Sequence, residues 1–324
     1  MAETNPLTGL PRQAESPTRG WLMRKRTVRK MLMDRWLYFM LTPGIIYFLI
    51  FKYAPMWGIV IAFQDYSPYQ GITGSPWVGM KHFVRLFGDP TFLILLKNTL
   101  SLSLMNLLLV FPMPIVAALM LNELRQERFK KVIQTLIYIP HFMSWVIIIG
   151  IFFVIFEMQD GLFQNLLAAV GLEKFTIMMN PDLFRPVYIL QAIWRDTGWG
   201  TIIYLAALAG VDQQLYEAAR IDGANRFKQL WHVTLPCIRS TIFILLILRL
   251  GDILELGFDH VFLMLNSLNR EVAEIFDTYV YTMGIIQGSF SYSAAVGLFK
   301  SLVGLVLVLV ANHFSKKFGE EGII

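Results

Sequence analysis

The residues with the most chemical potential in this sequence are charges and aromatic rings set inside apolar runs. Trp194, Arg195, Asp196 and Trp199 fall in one run, and Arg249, Asp252 and Glu255 in another. His141 follows Pro140 in a third. Asp196, Asp252, Glu255 and His141 carry the groups of acid–base catalysis. No nucleophile is paired with a base at convincing spacing, and no His-Glu-x-x-His pattern occurs, so no catalytic residue and no metal ligand is assigned. What remains is recognition of a polar solute. A charge at mid-bilayer costs at least about 2.5–3.5 kcal/mol, so each such group should face a partner or a water-filled cavity. On one continuous helix Arg249, Asp252 and Glu255, three apart, share a face. Internal salt bridges that let polar spans pack are one reading, and the lining of a solute path is the other; one side chain can do both. Tyr188, Trp194, Trp199, Tyr204, Tyr279 and Tyr281 add rings. A sugar stacks its C–H face on such rings while its hydroxyls need fixed donors and acceptors. For each ring taken singly, core packing or interfacial anchoring is the plainer role.

The elements that must position these groups are membrane spans. The chain has 324 residues, 56% of them hydrophobic and 16% charged. A soluble domain is nearer about 45–50% apolar and 25% charged. Mean hydropathy is +0.54. The net charge of +5 could suggest nucleic acid, but the basic residues sit beside apolar spans, so nucleic acid is not expected as a partner. The single cysteine, Cys237, excludes a disulfide framework or a cysteine zinc site. No Walker A pattern is present, so no P-loop for ATP is expected.

Six apolar stretches are read as spans: 36–63, 92–121, 132–156, 186–209, 238–258 and 293–314. Each is long enough, since about 20 apolar residues cross a ~30 Å core. Pro43 and Pro55 should kink the ends of the first, and Pro112, Pro114 and Pro140 should break the second and third. Before them lies a basic, proline-containing arm, 1–35, suited to anionic lipid. After them comes a short tail, 315–324. The run after the arm is too long for a cleaved signal peptide. An even number of spans puts both termini on one side. Arg125, Arg128, Lys130 and Lys131, then Arg220, Arg226, Lys228 and Arg239, then Lys316 and Lys317 share the side of the arm. The opposite side holds only Lys81, Arg85, Lys174, Arg185 and Arg270. The positive-inside rule therefore makes the termini cytoplasmic. The expected fold is an all-α polytopic membrane protein with six transmembrane helices.

One stretch on the cytoplasmic side, 213–236, is polar. Residues 213–222 should form a short helix that Gly223 stops by taking a positive φ. Asn225 should cap a second helix over 226–232. Leu235-Pro236 should end it, because a proline pushes the preceding residue out of the α region.

This stretch resembles a known motif. Glu217-Ala218-Ala219, Asp222-Gly223-Ala224 and Leu235-Pro236 match in type and spacing the EAA motif of the permeases of ATP-binding-cassette (ABC) importers. Three further stretches resemble the LplB-type sugar permeases, which are similar in plan to maltose-type permeases. They are Pro43-Gly44-Ile45-Ile46-Tyr47-Phe48 with Phe51 to Gly58, Gly257 to Met264, and Asp277 to Tyr281 followed by Phe290 to Ser301. The resemblance reaches from about residue 36 onward and does not cover the arm. It implies a type I ABC importer permease fold in the bacterial cytoplasmic (inner) membrane. It implies a second homologous permease, two cytoplasmic ATPase subunits that bind ATP and Mg, and a periplasmic or extracellular solute-binding protein. It implies that Glu217 contacts the ATPase, that Ala218 and Ala219 permit close approach, and that Gly223 sets the bend. Family cargo is an oligo- or polysaccharide, an acidic, alginate-like one included. No cofactor is implied in this chain. A stand-alone secondary transporter or channel would share the polar spans but has no use for the docking loop.

Overall fold

A computed structural model describes residues 33–157, 161–171, 173 and 175–317. The arm up to residue 32, Lys174, the tail beyond 317 and the side chains of Lys316 and Lys317 lie outside the described residues. The chain divides into two compact units at Ile59/Val60. Among the described residues everything regular is helical, apart from one isolated antiparallel bridge between Gln64 and Trp77.

The first span is the helix Arg35–Phe63. It opens as an α-helix with Pro43 inside, Arg35–Phe48, widens to a π turn over Leu49–Tyr53, and tightens to a 3₁₀ segment, Ala54–Phe63. The second unit contains the other long helices. Thr91–Glu123, Arg226–Gly251 and Phe290–Val310 are each long and apolar enough to cross a membrane. Glu127–Phe142 and Trp145–Phe156 qualify together but are bent by 104°. Among the described residues, four helices are thus long and apolar enough to span, or five with the bent pair. Pro181–Ala209 has the length but carries Asp182, Arg185, Arg195 and Asp196, and is not among them.

Prolines mark a recurring device. A proline clashes with the carbonyl four residues back and cannot donate to it. In three places a π turn absorbs this two residues earlier: Leu49–Tyr53 before Pro55, Asn106–Val110 before Pro112, and Leu230–Thr234 before Pro236. The widened turn moves the offending carbonyl aside, and the helix continues. Two expectations are corrected here. Pro112 and Pro114 do not break the second span, and Leu235-Pro236 does not end the helix of the polar loop. That helix runs on into the next span as Arg226–Gly251. At Pro140 the helix tightens to the 3₁₀ turn Ile139–Phe142, and it ends there, before the 104° bend.

The helix Pro181–Ala209 is central to the second unit. It packs on Pro112–Glu123, Glu127–Tyr138 and Leu235–Gly251. Two glycines make this packing close. A Cβ on Gly198 would overlap the backbone carbonyl oxygen of Ile137, and one on Gly200 would meet Pro114 Cγ at 2.7 Å. The main apolar core joins Leu102, Ile148, Ile149, Val187, Tyr188 and Val261.

Candidate functional site

The polar loop is built from its caps. Asp212 accepts a hydrogen bond from Gln214 N–H at 2.9 Å and starts the helix Gln213–Ile221. The helix ends in a Schellman arrangement: Gly223 N–H donates to Arg220 O at 3.0 Å and Ala224 N–H to Ala219 O at 2.8 Å. Gly223 has φ +76°, the conformation a Cβ opposes. Asn225 accepts from Lys228 N–H at 2.9 Å and opens the second helix. Tyr216 Oη and Thr234 Oγ1, 3.0 Å apart, tie the first helix to the π turn, and Arg226 pairs with Glu123 at the end of the helix Thr91–Glu123. Glu217, Ala218, Asp222 and Gly223 are exposed, as are the apolar Ile221, Phe227 and Trp231. Leu235 is half-buried and Pro236 exposed, both inside the continuing helix.

The second set of residues forms a polar cluster where the bent pair meets the helix Pro181–Ala209. The His141 and Trp199 rings stack at 4.6 Å with planes 5° apart. His141 Nδ1 lies 3.6 Å from Asp196 Oδ1, and Arg195 donates to the same oxygen at 3.1 Å. The Arg195 guanidinium covers the Trp145 ring at 4.5 Å. Trp145 stacks on His260 at 3.6 Å, and His260 on Tyr188 at 4.1 Å. His260 Nε2 is 2.8 Å from Gln191 Oε1. Trp199 remains 48% exposed and Trp194 40%. Trp194 approaches Phe152 at 6.0 Å rather than the polar groups. The sequence singled out Arg195, Asp196 and Trp199, but Trp145 as the platform for Arg195, and His260 as the layer beneath it, went unseen. Their partners are 50 or more positions away in the chain, where spacing carries no signal.

The expected shared face of Arg249, Asp252 and Glu255 does not exist. The helix stops at Gly251, with Asp252 as its cap, so the spacing of three no longer sets direction. Glu255 instead accepts from Lys300 Nζ at 3.1 Å, and Asp277 accepts from the same group at 2.6 Å. Lys300 is buried, and its ammonium joins three separate segments. Glu255 is exposed, so the charge left behind without Lys300 is chiefly that of the partly buried Asp277; for a fully buried pair such a loss costs about 3–5 kcal/mol, and here less. Lys300→Met should therefore lower the thermal unfolding midpoint of the detergent-purified protein. Adding Asp277→Asn should restore most of it.

Beyond the spans, two loop carboxylates act as anchors. Asp65 is held below the ordinary carboxylate range by its bond from Lys81, at 2.6 Å, with His82 adding to it. Burial pushes Asp89 upward, yet the Thr91 N–H and the Tyr279 and Tyr292 hydroxyls outweigh it, and the carboxyl lies below its usual value.

Comparison with known proteins places this geometry. Residues 110–320 match the family model described as binding-protein-dependent transport system inner membrane component. The chain is 62% identical over 300 residues to the polygalacturonan/rhamnogalacturonan transport system permease protein YteP of Bacillus subtilis (strain 168), covering 93% of this chain and 94% of that protein. It is 56% identical over 290 residues to protein LplB of the same organism, covering 90% and 91%. Among solved structures, a chain of a bacterial alginate ABC transporter in complex with an alginate pentasaccharide-bound periplasmic protein superposes with a TM-score of 0.84. Its sequence identity is 40%, over 91% of this chain and 99% of that one. The chain therefore belongs to the family of binding-protein-dependent transport system inner membrane components, and is a multi-pass, non-enzymatic permease subunit of an ABC transporter.

Proposed function

We propose that this permease imports an acidic oligo- or polysaccharide fragment and is driven through the loop 213–236. One observation carries the driving role: the second helix of that loop continues unbroken into the span Arg226–Gly251. A displacement of the loop is then a displacement of the span, with no hinge to dissipate it. In this reading two ATPase subunits, binding ATP and Mg, dock on the cytoplasmic loops of this chain and of a second, homologous permease. A periplasmic or extracellular binding protein delivers the solute. Glu217 supplies the polar contact to the ATPase, Ala218 and Ala219 allow close approach, and the exposed Ile221, Phe227 and Trp231 give it apolar surface to cover. Asp222, Gly223, Leu235 and Pro236 shape the loop. The proposed domain plan is a cytoplasmic arm 1–35, a six-span permease domain 36–314 and a cytoplasmic tail 315–324. Residues 186–209 cross the membrane as the polar span.

The acidic cargo is supported by the relatives, whose names specify polygalacturonan or rhamnogalacturonan and alginate, and by the chemistry of the cluster. Arg195 offers a cationic group and His141 a ring nitrogen beside Trp199. Asp196 partly neutralises Arg195, which suits a cargo that must leave as well as enter. Arg249 is the further cation assigned to the path. Asp252 and Glu255 line a cavity of about 380 Å³ with Asp277 and Lys300, where anions outnumber cations. Of the path residues named from the sequence, these two suit an acidic solute least.

The test is ATP hydrolysis by the co-expressed transporter with its binding protein, against a panel of neutral and acidic oligosaccharides. Stimulation by acidic fragments alone supports the proposal, and stimulation by neutral ones alone sinks it. In solute uptake by the same complex reconstituted in liposomes, Trp199→Ala or Arg249→Ala should reduce transport about tenfold or more, the effect of losing one ring or charge-assisted contact. Assembly of the complex, measured by co-purification, should be unchanged. Normal uptake in both would remove these positions from the path.

A further inference from the structure

Two membrane-spanning helices meet at one end of the second unit and leave a basic cavity between them. Thr91–Glu123 finishes there and Arg226–Gly251 begins there. The cavity measures about 500 Å³, and its lining includes Asn122, Arg125, Gln213, Tyr216, Arg220 and Arg226. Three guanidinium groups face one carboxylate in it, that of Glu123, which is already paired with Arg226. Among the described residues, Arg125 and Arg220 have no acidic partner. Arginine stays charged at any physiological pH, so two positive charges remain uncompensated.

We propose that this cavity binds the phosphate of an anionic phospholipid headgroup. Three observations carry it. First, the level is right: the end of an apolar span is where headgroups lie, and basic pockets between spans hold them. Secondly, the chemistry is right. The planar guanidinium fork matches phosphate oxygens in pairs, which a lone ammonium does not. The amides of Asn122, Gln213 and Gln229 line the same space and suit headgroup hydroxyls, while Leu124 and Leu230 give an apolar side to the glycerol and chains. Thirdly, the orientation leaves the site free. Gln213, Tyr216 and Arg220 lie at i, i+3 and i+7, one side of the helix Gln213–Ile221. Ala218 and Ile221, proposed to meet the ATPase, lie away from that side, and Glu217 borders it without lining the cavity. Lipid and ATPase can therefore be bound together. A headgroup held between Arg220 on the loop helix and Arg125 beside the neighbouring span would brace the loop against that span, in parallel with the Arg226–Glu123 pair.

The experiment uses the transporter assembled with its partner subunits, in nanodiscs of phosphatidylcholine alone or with phosphatidylglycerol added. Lipid retained on the released complex is measured by native mass spectrometry. The expected result is preferential retention of phosphatidylglycerol, reduced about tenfold or more by Arg125→Gln and again by Arg220→Gln, the fold-change of a lost charge-assisted hydrogen bond. Equal retention in the wild type and both variants would overturn the site. If the variants do not assemble, the wild type decides alone: no preference for phosphatidylglycerol over phosphatidylcholine would overturn it. A second arm adds inorganic phosphate or glycerol phosphate to the phosphatidylcholine discs. Retention of those ions by the wild type, with no preference for phosphatidylglycerol, would overturn the lipid and assign the cavity to a soluble phosphate.

Discussion

Gly223→Pro should abolish solute-stimulated ATP hydrolysis by the reconstituted transporter while the chain still inserts in the membrane. The reason is confined to the backbone. A side chain at this position would meet nothing within 4 Å, so no packing is at stake. The native φ of +76° is closed to proline, whose ring holds φ near about −65°. Proline also removes the N–H that donates to Arg220 O, one of the two bonds of the Schellman turn. The helix carrying Glu217 would leave the loop in a new direction, although every side chain remained. Gly223→Ala should retain partial stimulation, since alanine keeps the N–H and is only strained at positive φ, by about 1–2 kcal/mol. Glu217→Lys should reproduce the loss by reversing a charge without moving the backbone. Normal stimulation in both Gly223→Pro and Glu217→Lys would remove the loop from the coupling mechanism.

Gly198→Val should prevent accumulation of assembled transporter, and Gly198→Ala should lower its thermal midpoint by several degrees. Gly198 is buried on the helix Pro181–Ala209, and its added Cβ would overlap the carbonyl oxygen of Ile137. A backbone oxygen cannot rotate away as a side chain can. The two helices must separate, and overpacking of this kind costs about 1–3 kcal/mol or more. The control is Gly150→Ala, in the helix Trp145–Phe156. There the new methyl meets nothing within 4 Å, so the higher helix propensity of alanine should leave stability level or slightly raised. An equal loss at both positions would mean that close helix approach is not the cause.

The caps were legible because they are local. Asn225 at the helix start and Gly223 at positive φ follow from the intrinsic preferences of those residues over three or four positions. The prolines were legible only as obstacles. Whether a helix ends, kinks or widens at a proline depends on what its neighbours hold in place, and the π turns before Pro55, Pro112 and Pro236 have no mark of their own in the residue pattern. Extending the helix to Glu255 failed for a related reason. The apolar run continues past Gly251, but the chain turns there so that Glu255 can reach Lys300.

The sequence alone determined that this chain lives in a membrane, where its apolar stretches begin, and that one polar loop carries a motif spaced for docking. Hydropathy, charge and capping act residue by residue or within a turn, so a string of letters contains them. Only the tertiary structure decided that the loop helix is one piece with a span, that Arg195 lies on Trp145 and His141 on Trp199, and that Lys300 pairs with both Glu255 and Asp277. Those contacts depend on where helices cross, which is set by the close packing at Gly198 and Gly200 and by the 104° bend after Pro140. Partners so far apart in the chain meet only once the helices have packed.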